Sequence, residues 1–144
     1  MPLINHKSLG KHCGVDEVGR GAWSGPVVAA AVRLNSFVNI EGLADSKTIN
    51  FALRVKLYHQ IIENSAVGVS FVSSSIVDSK NILQASLLAM ETAVRKILDK
   101  DDKVFFDGNF LPDAFRNSPN AFAVVKGDQK IASIAAASIV AKVS

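Results

Sequence analysis

The run Cys13-Gly-Val-Asp-Glu-Val-Gly-Arg-Gly-Ala-Trp-Ser-Gly25 ends a short apolar segment on two adjacent carboxylates, Asp16 and Glu17, and passes straight into a glycine–arginine–glycine turn. Neighbouring side chains on a strand point to opposite faces, so these two acids share one site only if the strand ends or bulges there. Gly19 and Gly21 suit such a departure, because glycine reaches backbone angles closed to other residues. Arg20 stands between them, and its planar guanidinium matches the geometry of a phosphate. A solvated strand edge followed by a tight turn is the plainer reading of the same residues. The spacing Gly19, Gly21, Gly25 also imitates a dinucleotide-binding loop, but Pro26 and the β-branched Val27 and Val28 oppose the helix such a loop needs. Asp16 and Glu17 would moreover repel a bare phosphate. A divalent cation between acid and phosphate removes that conflict, and so favours a metal site.

Outward from this stretch, apolar runs alternate with helical patterns, which indicates an α/β fold. Residues 12–18 and 27–34 read as strands joined by the glycine-rich turn and paired antiparallel. Residues 50–64 carry Phe51, Val55, Leu57, Ile61 and Ile62 at near-helical spacing, and Val67, Val69, Phe71 and Val72 make a β-branched strand. Leu83, Leu87, Met90, Val94 and Ile97 form a stripe at steps of three and four, predicting a helix from about Asn81 to Leu98 whose stripe is core. Val104 to Phe106 is a short apolar run ending at Asp107-Gly108-Asn109. Residues 109–120, with Pro112 and Pro119, read as loop. Phe122 to Val125 is another strand, stopping at Lys126-Gly127-Asp128, and alanine-rich Ile131 to Val143 is a helix able to approach a sheet closely.

The 144 residues, 49% hydrophobic, amount to one domain and can bury a real core. The net charge of +3 is compatible with a polyanionic partner. One cysteine, Cys13, rules out an internal disulfide and a cysteine zinc cluster, and points to a reducing, cytoplasmic location. The first residues lack the apolar core of a signal peptide, and the small-apolar run 131–141 is too short to cross a bilayer.

Three acidic sites at the ends of three apolar runs, each beside glycine, are what a carboxylate metal site requires, since adjacent strand ends gather residues distant in sequence. Carboxylates suit Mg²⁺ or Mn²⁺. His6, His12 and His59 are scattered without partners at ligand spacing and read as surface or packing residues. Two such cations roughly 3.5–4 Å apart are the arrangement that cleaves phosphodiesters.

Six blocks in order, Gly14-Val-Asp-Glu-Val-Gly-Arg-Gly21, Leu43-Ala-Asp-Ser-Lys47, Asn81-Ile-Leu83, Phe106-Asp-Gly-Asn109, Val124-Val-Lys-Gly-Asp128 and Ala136-Ala-Ser-Ile-Val-Ala-Lys-Val143, resemble bacterial ribonuclease HII. The resemblance implies a ribonuclease H-like fold, a mixed five-stranded sheet of three antiparallel and then two parallel strands flanked by helices. It implies a catalytic set of Asp16, Glu17, Asp107 and Asp128, the first three being the main ligands of Mn²⁺ or Mg²⁺. By the same resemblance Gly19, Arg20 and Gly21 read the ribose 2′-hydroxyl, the local feature that separates RNA from DNA. Lys47 falls where the family places a phosphate contact, and Lys126 and Lys130 serve at most as backbone-facing charges. The implied reaction is hydrolysis of the RNA strand of RNA/DNA hybrids, and of ribonucleotides embedded in duplex DNA, by a monomer, leaving 5′-phosphate and 3′-hydroxyl ends.

Family members continue past the Ala-Lys-Val block into an Arg-Asp pair and further helices, including a tyrosine that stacks at the RNA–DNA junction. Residues 1–144 are therefore expected to be a single catalytic domain lacking its C-terminal part, with reduced stability and weakened junction preference. Tyr58, in an amphipathic helix, is no substitute for that tyrosine. The competing expectation is a non-catalytic nucleic-acid-binding fragment of the same fold, acting through Arg20, Lys47, Lys126 and Lys130.

Overall fold

The β-branched and alanine-rich segments pair into one five-stranded sheet with the spatial order β3-β2-β1-β4-β5. The computed structural model describes residues 9–19, 26–35, 43, 49–72 and 82–144. Strands β1 (His12–Val18), β2 (Val27–Leu34) and β3 (Ser65–Val72) are antiparallel to one another in succession, while β4 (Lys103–Asp107) and β5 (Ala121–Val124) run parallel to β1. Helices α1 (Phe51–Asn64), α2 (Ile82–Arg95) and α3 (Ala132–Val143) flank it. The α/β architecture expected from the chain is the one observed, with the same strand directions. No described helix is long and apolar enough to cross a membrane.

Alternation along the strands sorts their side chains onto two cores. Cys13, Val15, Ala29 and Phe106 face α2, where they meet Ala89, Met90, Ala93 and Val94. Val28, Ala30 and Val32 face the other way, against Leu57 and Ile61 of α1 and the alanines of α3. Of the stripe anticipated on α2, Leu87, Met90 and Val94 are core and Ile97 packs against it just past the helix, whereas Leu83 is exposed at the helix start; each fully buried aliphatic side chain contributes roughly 1.5–3 kcal/mol.

Two helices come close enough that only glycine fits beneath them. A Cβ on Gly14 would stand 2.3 Å from the Ser133 carbonyl carbon and 2.4 Å from the Ile134 nitrogen, and one on Gly68 would stand 2.3 Å from the Ala93 oxygen. Small residues on α3 permit this approach: Ser133, Ala136 and Ala137 are completely buried.

The elements end where local chemistry stops them. Asn50 caps α1 by accepting from the Leu53 N–H at 2.9 Å, and the chain passes from Asn64 directly into β3, two residues before the β-branched run begins. Helix α2 stops at Arg95, short of Leu98. Lys96 and Ile97 donate to carbonyls three residues back, and Asp101 adopts a positive φ of 69°. Loop 109–120 contains one 3₁₀ turn, Asp113–Phe115, which follows Pro112. The charges before β4 close the end of the sheet remote from Asp16. Arg33 donates to Asp102 at 2.9 Å and to the Ile97 carbonyl at 2.8 Å, and Lys11 pairs with Asp99 at 2.8 Å. Cys13 lies beneath this network, where burial and then the Asp102 charge push its thiol up to about 12, so it is an inert packing residue.

Candidate active site

The parallel pairing of β1 with β4 sets His12 beside Lys103 and Val15 beside Phe106, so the next residues on each strand, Asp16 and Asp107, end up side by side. Their carboxyl groups are close enough to interact directly. Asp16 also accepts from the Glu17 backbone N–H at 2.8 Å, and Asp107 from the Gly127 N–H at 2.6 Å. Gly127 can approach because it lacks a Cβ, which would lie 2.5 Å from Ile134 Cδ1 and 3.2 Å from Asp107 Oδ1. A backbone donor in the turn after β5 therefore fixes the acid at the end of β4, while α3 buttresses the turn.

Of the two routes read from the sequence for uniting Asp16 and Glu17, a strand end or a bulge, no bulge is present, and β1 ends one residue past Glu17, at Val18. Their pairing is regular, Asp16 opposite Ala30 and Glu17 opposite Ala29, through to Val18. Asp16 shares the face of Gly14 and α3, and Glu17 shares the face of Val15 and α2. Asp107 serves both sides because β4 stops there, and Gly108, with φ 114°, turns the chain away. Glu17 and Asp107 line a cavity of about 260 Å³ under the start of α2.

The electrostatics follow from this crowding. Asp16 is only 5% exposed, and burial, followed by the neighbouring Asp107 charge, raises its carboxyl to about 9. Burial and then Asp107 also raise Glu17. In the metal-free protein, the folded state keeps a proton on Asp16 that the unfolded chain releases near its ordinary value of 3.8. Between those two values rising pH costs stability, because the folded state binds more protons than the unfolded one. In EDTA the wild-type melting temperature should fall between about pH 5.5 and about pH 8.5 more steeply than that of Asp16→Asn. Parallel slopes for the two proteins would refute the assignment. Mg²⁺ or Mn²⁺ should remove the difference by taking the proton's place.

Asp128 sits in the 3₁₀ turn Gly127–Gln129, half-buried, next to the glycine that holds Asp107. Lys126 enters that turn in the left-handed conformation, φ 54°, and both it and Lys130 are exposed. Gly19 lies exposed just past β1. Arg20, Gly21 and Lys47 lie outside the described residues, as does His6. His12 is a packing residue, donating from Nδ1 to the Gly10 carbonyl at 2.9 Å and meeting Phe105 edge-on. His59 is on α1 beside Tyr58, which packs against the core there. The sequence reading missed the supporting roles of Gly14 and Gly127. Their signal is a glycine within an apolar strand and one three residues past a strand, each close to the helix of small residues, α3.

Among the described residues, no three Asp, Glu, His or Cys side chains stand ready as a metal's coordination shell. The donors that do converge are all oxygen, and two of them are interacting acids, Asp16 buried and Asp107 half-buried. Such a pair is relieved by a proton or a hard divalent cation, so Asp16, Asp107 and Glu17 fit Mg²⁺ or Mn²⁺ chemically.

The family model described as Ribonuclease HII matches residues 13–144. Ribonuclease HII of Pelagibacter ubique is 50% identical over 131 residues, covering 91% of this chain and 69% of that protein. The Coxiella burnetii protein of the same name is 45% identical over 132 residues, covering 91% of the chain and 64% of its own length. The chain thus spans about two thirds of these relatives. Among solved structures, the ribonuclease H2 of Pyrococcus horikoshii OT3 superposes with a TM-score of 0.72 at 30% identity, over 92% of this chain and 71% of that one. Bst-RNase HIII, solved in complex with Mn²⁺, shares the fold with a TM-score of 0.68 at 20% identity, over 96% of this chain and 53% of that one. With matching blocks along the sequence, the strand order they imply and a family model spanning 13–144, the chain belongs to the ribonuclease HII family.

Proposed function

We propose that this chain is the catalytic portion of an endoribonuclease that hydrolyses the RNA strand of RNA/DNA hybrids and ribonucleotides embedded in duplex DNA. The observation that carries the reading is the contact of Asp16 with Asp107 at adjacent ends of β1 and β4, with Glu17 on the same cavity. Asp16, Glu17 and Asp107 would hold divalent cations, and Asp128 would complete the set from the turn after β5. When bound, two such cations supply the positive charge that activates a water and stabilises the leaving oxygen in an in-line displacement. Water attacks phosphorus, the bond from phosphorus to the ribose O3′ breaks, and O3′ takes up a proton, leaving 5′-phosphate and 3′-hydroxyl ends.

The chain's own residues supply placement. Gly127 fixes Asp107, the Glu17 N–H orients Asp16, and the Gly14–Ser133 contact locks the layer on which both rest. Gly19, Arg20 and Gly21 come next after β1 in the sequence and would read the 2′-hydroxyl, and Lys47 would meet a phosphate. Mn²⁺ occupies the solved Bst-RNase HIII complex, and either Mn²⁺ or Mg²⁺ suits the oxygen donors here. The buried, reduced Cys13 agrees with action in the cytoplasm.

The test is cleavage of an end-labelled RNA/DNA hybrid by this chain with Mg²⁺ or Mn²⁺, with products compared to size markers carrying 5′-phosphates. Metal-dependent cuts in the RNA strand, lost in EDTA, are the expected result. A hybrid bound tightly but left intact with both metals would instead establish the non-catalytic binding fragment.

A further inference from the structure

The cavity that contains Glu17 and Asp107 is also lined by the apolar side chains Ile82, Leu83, Leu87 and Met90 of α2 and Phe110 of the loop after β4, with Ser86 and Asn109 as its other polar side chains. Phe110 is 54% exposed and Leu83 42%. Other phenylalanines of this half of the sheet are engaged: Phe105 stacks on Phe122 with centroids 5.1 Å apart, and Phe106 meets Phe115 at 5.2 Å. Phe110, three residues beyond Asp107, makes no ring contact among the described residues. Among the described residues, packing leaves this ring more than half exposed beside a cavity that two acids line.

A polyanionic strand whose phosphate sits at Glu17 and Asp107 would lie beside this rim, and each of its nucleotides carries an apolar π-face. We propose that Phe110 is a positioning residue whose ring stacks on the base of a nucleotide flanking the scissile phosphate. The inference rests on the hybrid-cleaving reading of the same site. Stacking of this kind tolerates any base, so Phe110 sets affinity and register while leaving sequence choice open. It also spares the acids any contact with the base, leaving them to the cations.

The test compares wild type, Phe110→Ala and Phe110→Tyr in hybrid binding with Ca²⁺ and in cleavage with Mn²⁺. Phe110→Ala should weaken binding and raise KM about 5- to 150-fold, the effect of losing one base–aromatic stack, with kcat changed far less. Phe110→Tyr should recover most of the loss. A hybrid made abasic beside the cut site should bind wild type and Phe110→Ala alike. Equal affinity of wild type and Phe110→Ala for the intact hybrid would overturn the inference while leaving the nuclease reading in place. Failure of wild type to bind or cut any hybrid would overturn both.

Discussion

Asp107→Asn should lower hybrid cleavage by at least about 100-fold, the loss typical when one preorganised electrostatic group leaves a reacting centre, and should leave hybrid binding unchanged or tighter. Asp107 is the acid that both others feel: it contacts Asp16 directly and its charge raises Glu17. The amide keeps an oxygen that can accept from the Gly127 N–H, so the turn after β5 stays in place. What disappears is one negative charge. On the proposed function that weakens the hold on a cation, and it also removes the second-largest cause of the raised Asp16 carboxyl. The flatter fall of stability with pH expected for Asp16→Asn should therefore appear in part in Asp107→Asn, where burial of Asp16 persists. Binding to the polyanion should hold or improve because acid–phosphate repulsion falls. Retained cleavage would show that the catalytic acids lie elsewhere.

The second large effect concerns stability. Gly14→Ala should destabilise the chain by about 3 kcal/mol, the upper part of the range for overpacking a filled core, which corresponds to a drop of roughly 10 °C in melting temperature for a chain of this size. The added methyl would meet backbone atoms of Ser133 and Ile134 at 2.3 and 2.4 Å, which cannot swing aside as a side-chain tip could. Relief requires α3 to lift off β1. That movement would also displace Ile134 from Gly127 and, through Gly127, loosen Asp107. Cleavage should thus fall along with stability. Gly19→Ala is the control for stability, because nothing lies within 4 Å of its added Cβ. A Gly14→Ala protein that melts with wild type would mean that α3 packs differently from the arrangement described.

Much of the architecture was legible because hydrophobic periodicity is a local property. Strands 12–18 and 27–34 follow from short apolar runs bounded by charge and glycine, and α2 follows from its stripe. The boundaries that shifted did so for tertiary reasons. Helix α2 ends at Arg95 because the Arg33–Asp102 network draws the following turn down to β4, taking the Ile97 carbonyl as one of its acceptors. Strand β3 begins at Ser65 because Leu34 of β2 pairs with it.

The acids show the same division. Asp16, Glu17, Asp107 and Asp128 stand out in sequence as carboxylates beside glycine at the close of apolar runs, and their spacing along the chain says nothing about which of them meet. A strand end or bulge was the local route to uniting Asp16 with Glu17. The sheet uses a non-local one, the parallel register of β1 and β4, which stops Asp107 where it reaches both faces. Residue types, and with them the oxygen-donor chemistry and the α/β class, were determined by the sequence alone. The contact of Asp16 with Asp107, the raised carboxyls, the Gly127 support and the exposed ring of Phe110 were decided only by tertiary structure, since pairing register and burial arise between segments far apart in the chain.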